Sequence, residues 1–243
     1  VLPSLKDKKL FLTVKDENCY WFSGTATECE IGDCCLNDLE QQITELNKNS
    51  KKKFTSIDVV IDSIHCRFAT IPALKEWPEQ DVLNFLIHQK FQQVDINFDP
   101  NNFIILNDSL KFNQPCVVVA FQKTVYEKII KIQSILKVKS LMPSILAIWN
   151  YYEFQLNQTS LMIVENGFIY SVIYECGVIH EINAFPSHLK DVLSYDHIFN
   201  FLENDCSERN TNILNFKLPL SIQLSNEIIN NHFLNLMRFK NYG

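Results

Sequence analysis

The chain has 243 residues, 47% of them hydrophobic and 21% charged, with a formal net charge of −6 at pH 7. That leaves room for one large domain or two small ones around a real core, and it excludes an intrinsically disordered chain. The acidic balance argues against nucleic acid as a partner, because phosphate neutralisation needs clustered Lys and Arg, and the one basic run, Lys51-Lys52-Lys53, reads as a solvated loop.

Residues 9–14 alternate and read as a strand. Residues 18–23 (NCYWFS) form a second, across a turn at Lys15-Asp16-Glu17, and 27–31 a third. Leu36, Leu39, Ile43 and Leu46 then recur at helical spacing and predict an amphipathic helix over 36–47. Residues 56–62 (SIDVVID) read as a buried strand. In the middle section, 65–71 (HCRFATI) is a strand and 72–78 a loop. Pro78 suits the first turn of a helix running to about residue 94. Strands follow at 102–106 and 116–121, a helix at 124–136 and a short strand at 138–141. Pro143 then opens a helix over 144–156. The last section starts with a strand at 160–165 (SLMIVE), and Asn166-Gly167 is a strong hairpin signal before the strand at 168–174. Cys176-Gly177 turns the chain into 178–184, and a helix over 187–203, a strand over 212–218 and a helix over 221–237 complete it.

Residues 9–62 and 160–218 thus share one order: hairpin, third strand, helix, strand. Three meandering strands followed by a helix and a parallel strand describe the ribonuclease-H-like core. Two such cores in one α/β chain make the actin-like fold. The expected division is a first core over 1–64 with part of 115–158, an inserted subdomain over 65–114, and a second core over 159–243.

No uninterrupted apolar run approaches the roughly 18 residues of a membrane span. Lys6, Asp7, Lys8 and Lys9 precede any apolar stretch, so no signal peptide is read. The first residue is Val, and a membrane segment beyond either end is left open. Most of the eight cysteines lie in apolar strand-like runs such as Pro115-Cys116-Val117-Val118-Val119, and read as buried, reduced thiols.

In nucleotide-binding actin-like proteins the first hairpin of each core is a phosphate loop. An acid holds the metal through water, and glycines let backbone N–H groups reach the phosphates. Here the first hairpin, Val14-Lys15-Asp16-Glu17-Asn18, has an acid but no glycine. The second, Val164-Glu165-Asn166-Gly167-Phe168, has one glycine, which a tight hairpin turn explains, and no Ser or Thr beside it. Asp16, Glu165, Asn166 and Gly167 are therefore degenerate phosphate-loop positions, and no cofactor, metal or catalytic residue is expected.

Other chemistry is sparse. His65 and Cys66, neighbours on a predicted strand, would point to opposite faces and could not work as base and nucleophile. Cys29, Cys34 and Cys35 lack zinc-site spacing. His180, Glu181 and His188 read as surface groups, and Trp21, Trp77 and Trp149 as core or interface anchors.

The middle section is the most distinctive. DSIHCRFATIP at 62–72 leads through Trp77 to a helix ending Lys90-Phe91-Gln92-Gln93-Val94. Then come 116–121, Leu141-Met142-Pro143 to Trp149-Asn150, and Leu161 to Glu165 with Gly167. In this order the chain, best over 56–185, resembles the actin-like assembly proteins of type IV pili and type II secretion, the PilM-type and GspL-type proteins. It departs from PilM in its phosphate loops and looks more like the GspL cytoplasmic domain.

The resemblance implies a non-catalytic cytoplasmic scaffold at the inner membrane, binding platform proteins and the assembly ATPase. Membrane association would come through those partners or a segment outside this chain, and homodimer formation is left open. The alternatives are an actin-like ATP-binding protein or sugar-kinase-like enzyme, with Asp16 and Glu165 as metal-side acids, and an unrelated α/β enzyme.

Overall fold

The computed structural model describes residues 8–24, 29–50, 53–76, 78–106, 113–152, 160–165, 168–175, 177–186 and 211–215. The first unit opens with β1 (Lys8–Lys15), β2 (Asn18–Gly24) and β3 (Cys29–Cys35), followed by helix α1 (Leu39–Asn49) and β4 (Phe54–Ile61). An excursion follows: β5 (Cys66–Ile71), helix α2 (Gln80–Val94), β6 (Phe103–Leu106) and β7 (Cys116–Gln122). The chain returns through helix α3 (Lys123–Lys131), β8 (Lys137–Pro143) and helix α4 (Ser144–Tyr152). It then builds β9 (Ser160–Glu165), β10 (Phe168–Glu175), β11 (Val178–Pro186) and β12 (Thr211–Asn215).

The described strands form three sheets, ordered β3-β2-β1-β4-β8, β5-β7-β6 and β11-β10-β9-β12. In the first, β1 to β3 are an antiparallel meander, and β4 and β8 lie parallel to β1 and to each other. In the third, β9 to β11 are an antiparallel meander and β12 lies parallel to β9. The order third-second-first-fourth therefore occurs twice, which is the duplication that the sequence pattern predicts. The helices predicted over 187–203 and 221–237 lie outside the described residues.

Burial follows the sequence period. In β1, Leu10, Leu12 and Val14 are fully buried, under Leu39 and Ile43 of α1. β4 is central in its sheet, and its last residues Val59, Val60 and Ile61 are all buried, as a strand covered on both faces requires. The outer strand β8 instead exposes Lys137 and Lys139, charges that protect a sheet edge from pairing with another chain. The main core includes Val125 and Ile129 of α3, Trp149 of α4, and Ile163, Tyr170, Val172 and Ile182 of the third sheet. A second, smaller core lies under α2, where Phe91, Phe98 and Phe103 stack in series with centroids 4.8 and 5.0 Å apart.

Several boundaries differ from the sequence reading, each for a tertiary reason. The third strand runs to Cys35 instead of 31, because its ladder with β2 continues to the Asn18–Cys35 pair. Leu36 N–H then donates to the Glu17 carbonyl at 2.7 Å, so Leu36 closes the sheet and the helix begins only at Leu39. Residues 132–134 form a 3₁₀ turn after α3. β7 pairs with β5 and β6, so the sheet of the excursion extends past residue 114, to Gln122. In the lysine run, exposed Lys53 donates from Nζ to the carbonyls of Asn47 (2.7 Å) and Lys48 (2.9 Å), satisfying the open end of α1.

Candidate functional site

In α/β sheets the place for a ligand is the crevice at the carboxyl ends of the parallel strands. In the first sheet that end is formed by the β1–β2 hairpin, the segment after β4 and the start of α4. The hairpin closes with the Lys15–Asn18 pair, leaving Asp16 and Glu17 as a two-residue turn. Asp16 has φ of 50°, a left-handed conformation that glycine adopts freely and Asp tolerates.

The segment after β4 is strapped to this hairpin. Asp62 N–H donates to the Val14 carbonyl at 2.8 Å. The Asp62 carboxylate accepts from Ile64 N–H at 3.1 Å and caps a 3₁₀ turn over Ser63–His65. His65 therefore sits on that turn and not on β5 as the sequence suggests, because the Asp62 cap curls the backbone before the strand begins. Its Nε2–H donates to the Asp16 carbonyl at 3.2 Å, and Nδ1 faces the Gln122 side-chain amide at 2.9 Å. Cys66 is buried, with Sγ directed at the Asp62 carbonyl. The imidazole is thus occupied in tying three segments together. Asp62 is fully buried, and that burial raises its pKa above the usual carboxylate value; the Ile64 N–H opposes the rise, and the Asp16 charge adds to it.

Beside this strap lies a buried serine pair. Ser63 N–H donates to Ser144 Oγ at 3.1 Å, the two hydroxyls are 2.8 Å apart, and Ile145 N–H donates to Ser63 Oγ at 3.1 Å. These bonds fasten the end of β4 to the first turn of α4 and occupy the Ile145 N–H at that helix start. Sequence reasoning missed the pair. The available signal was local only, an Asp-Ser directly after a buried strand and a Ser directly after Pro143.

The second hairpin is closed by the Glu165–Phe168 pair. Asn166 and Gly167 lie outside the described residues, as does the Glu165 side chain. Among the described residues no group of three or more His, Cys, Asp and Glu could hold a metal ion. Cys34 and Cys35 sit on β3 without such a cluster, and His180 and Glu181 are exposed on β11. His188 and Trp77 lie outside the described residues.

Two further surfaces stand out. A groove of about 400 Å³ runs between β7, α4 and the start of β11, lined by Val117, Val119, Leu146, Trp149 and Ile179 among others. Trp149 stacks edge-on against Tyr174 at 5.8 Å, and its Nε1–H finds no acceptor among the described residues. On α2 the outward face carries Val82 and Phe85, the latter 65% exposed, with Ile96 beyond the helix 90% exposed.

No family model and no curated protein sequence matches the chain. Solved structures do. The cytoplasmic domain of EpsL, an inner membrane component of the type II secretion system of Vibrio cholerae, superposes with a TM-score of 0.56 at 12% identity, covering 96% of each chain. A Bacteroides thetaiotaomicron protein of unknown function, described as having an actin-like ATPase fold, superposes at 0.55 and 14% identity, covering 94% of this chain and 87% of its own. The fold is actin-like. A chain of the PilM–PilN type IV pilus biogenesis complex scores 0.49 at 12% identity, over 85% of this chain and 74% of that one. Within the actin-like fold, Asp16 and the Glu165–Phe168 pair mark the first hairpins of the two cores. Among the described residues no helix is long and apolar enough to cross a membrane.

Proposed function

We propose that this chain is a non-catalytic scaffold at the cytoplasmic face of an inner-membrane platform, in a type II secretion or type IV pilus machine, where it binds platform proteins and the assembly ATPase. The observation that carries this reading is the state of the ligand end of the first sheet. The first hairpin turns on a non-glycine residue whose carbonyl is bonded by His65, and the Ser63–Ser144 pair takes up the Ser63 and Ile145 N–H groups, donors of the kind a phosphate needs. The likeness to the EpsL cytoplasmic domain supports the setting, because it spans 96% of both chains.

The test has two arms. Thermal unfolding is followed with and without ATP and Mg²⁺. No stabilisation is expected at ligand concentrations where a site with micromolar affinity would contribute about 3–4 kcal/mol. Clear stabilisation, abolished by Asp16→Asn, would replace the scaffold reading with an ATP-binding one; Asn is chosen because it keeps the left-handed turn. In the second arm the chain is used as bait for the platform proteins and assembly ATPase encoded in the same genome. Capture of at least one as a stoichiometric complex is expected, and failure with all of them would sink the proposal.

A further inference from the structure

The edge of the first sheet sets two thiols side by side. Cys19 on β2 and Cys34 on β3 are direct partners in the antiparallel ladder. Direct partners point off the same face, with Cα atoms about 4.5 or 5.5 Å apart depending on the type of pair. Both spacings fall within the roughly 4.4–6.8 Å that a disulfide spans. The shared face is the one beneath α1. Cys19 is fully buried in the main core, whereas Cys34 packs against that core and keeps part of its surface open to solvent.

Their pairing ties the protonation of the two thiols together. The neighbouring Cys19 thiol holds Cys34 below the usual thiol pKa, against the opposing effects of burial and of Asp33 and Asp38. The neighbouring Cys34 thiol, and then burial, pushes the Cys19 thiol up. Cys19 therefore keeps its proton, and Cys34, the more exposed of the two, is the more readily ionised. Cys35, next along the strand, faces Asn18 and points to the other side of the sheet.

We propose that Cys34 and Cys19 form an oxidation site for hydroperoxides, closing to an intramolecular disulfide that staples edge strand β3 to β2. The Cys34 thiolate attacks one peroxide oxygen. The S–O bond forms as the O–O bond breaks, and the departing alkoxide or hydroxide takes up a proton. The sulfur of Cys19 then attacks the sulfenic sulfur of Cys34. The S–S bond forms, the S–O bond breaks, and the hydroxide leaves as water with the proton of Cys19. Two thiols and one hydroperoxide give one disulfide, one alcohol (or water) and one water, with two electrons passing to the peroxide.

The test uses the reduced full chain, treated with hydrogen peroxide, alkylated, and cut with a glutamate-specific protease. Glu28 and Glu30 place Cys19, Cys29 and Cys34 on separate peptides. The expected product links peptide 18–28 to peptide 31–40, lowers the free-thiol count by two, and reverts with dithiothreitol. Cys34 is expected to react at least about tenfold faster than buried Cys116. In Cys34→Ser the Cys19 thiol survives. In Cys19→Ser a sulfenic acid persists on Cys34 and is trapped by dimedone. Cys35→Ser still forms the link. A link to any other cysteine, loss of the Cys19 thiol in Cys34→Ser, or reaction no faster than at Cys116 would each overturn the proposal.

Discussion

Asp16 holds the first hairpin in a conformation that costs an ordinary side chain energy. Asp16→Gly should therefore raise stability by up to about 1 kcal/mol, read as a higher urea midpoint at unchanged slope. A lower midpoint would mean that the carboxylate itself holds the turn. Asp62 makes a pH-dependent contribution whose sign follows from its environment. Burial raises its pKa in the folded state, so between the ordinary carboxylate value and the raised one the native protein binds more protons than the unfolded chain. Stability from this group is then present at low pH and is lost as pH rises through the folded pKa. Asp62→Asn keeps an acceptor for Ile64 N–H and removes the titration. The stability of the variant relative to the parent should grow as pH rises across that window in urea titrations, and a constant difference would contradict this account. Gly32 faces Trp21 across β2 and β3, and a Cβ there would run into the indole. Gly32→Ala should destabilise by about 1–3 kcal/mol in the same assay. The sequence marks Trp21 as an anchor; it does not mark Gly32 as the space the indole needs.

At the scale of elements, the serine pair decides how α4 meets β4. Ser144→Ala removes the acceptor of Ser63 N–H and the partner of the Ser63 hydroxyl, both buried. The expected loss is about 1–3 kcal/mol, with amide exchange accelerated at Ser63 and Ile145 before the centre of β4. Loss of protection everywhere at once would argue against a local lock. The element predictions from sequence fare best where a period is long. β1, β4, α2 and the β9–β10 hairpin fall close to their predicted positions, because alternating or helical burial is written into adjacent residues. They fare worst at ends. Leu36 belongs to the helical stripe, yet it is drawn to the sheet by the Glu17 carbonyl, a partner distant in sequence.

For the molecule as a whole, the excursion sheet and the third sheet meet directly. Phe68 of β5 stands edge-on against Tyr170 of β10, with centroids 6.0 Å apart, and both are buried in one continuous core. A double-mutant cycle of Phe68→Leu and Tyr170→Leu should return a coupling of about 0.5–1.5 kcal/mol. A value near zero would mean that the two units stand independently.

Near neighbours in the chain set the order of the described elements and the recurrence of the strand meander in two halves, since periods of two and 3.6 survive any later packing. How the strand ends are filled is settled by packing between distant segments. The Ser63–Ser144 bond joins residues 81 positions apart, and His65 meets Asp16 across 49. No local pattern encodes such pairs, because they come into being only when β4, α4 and the first hairpin are brought to the same edge.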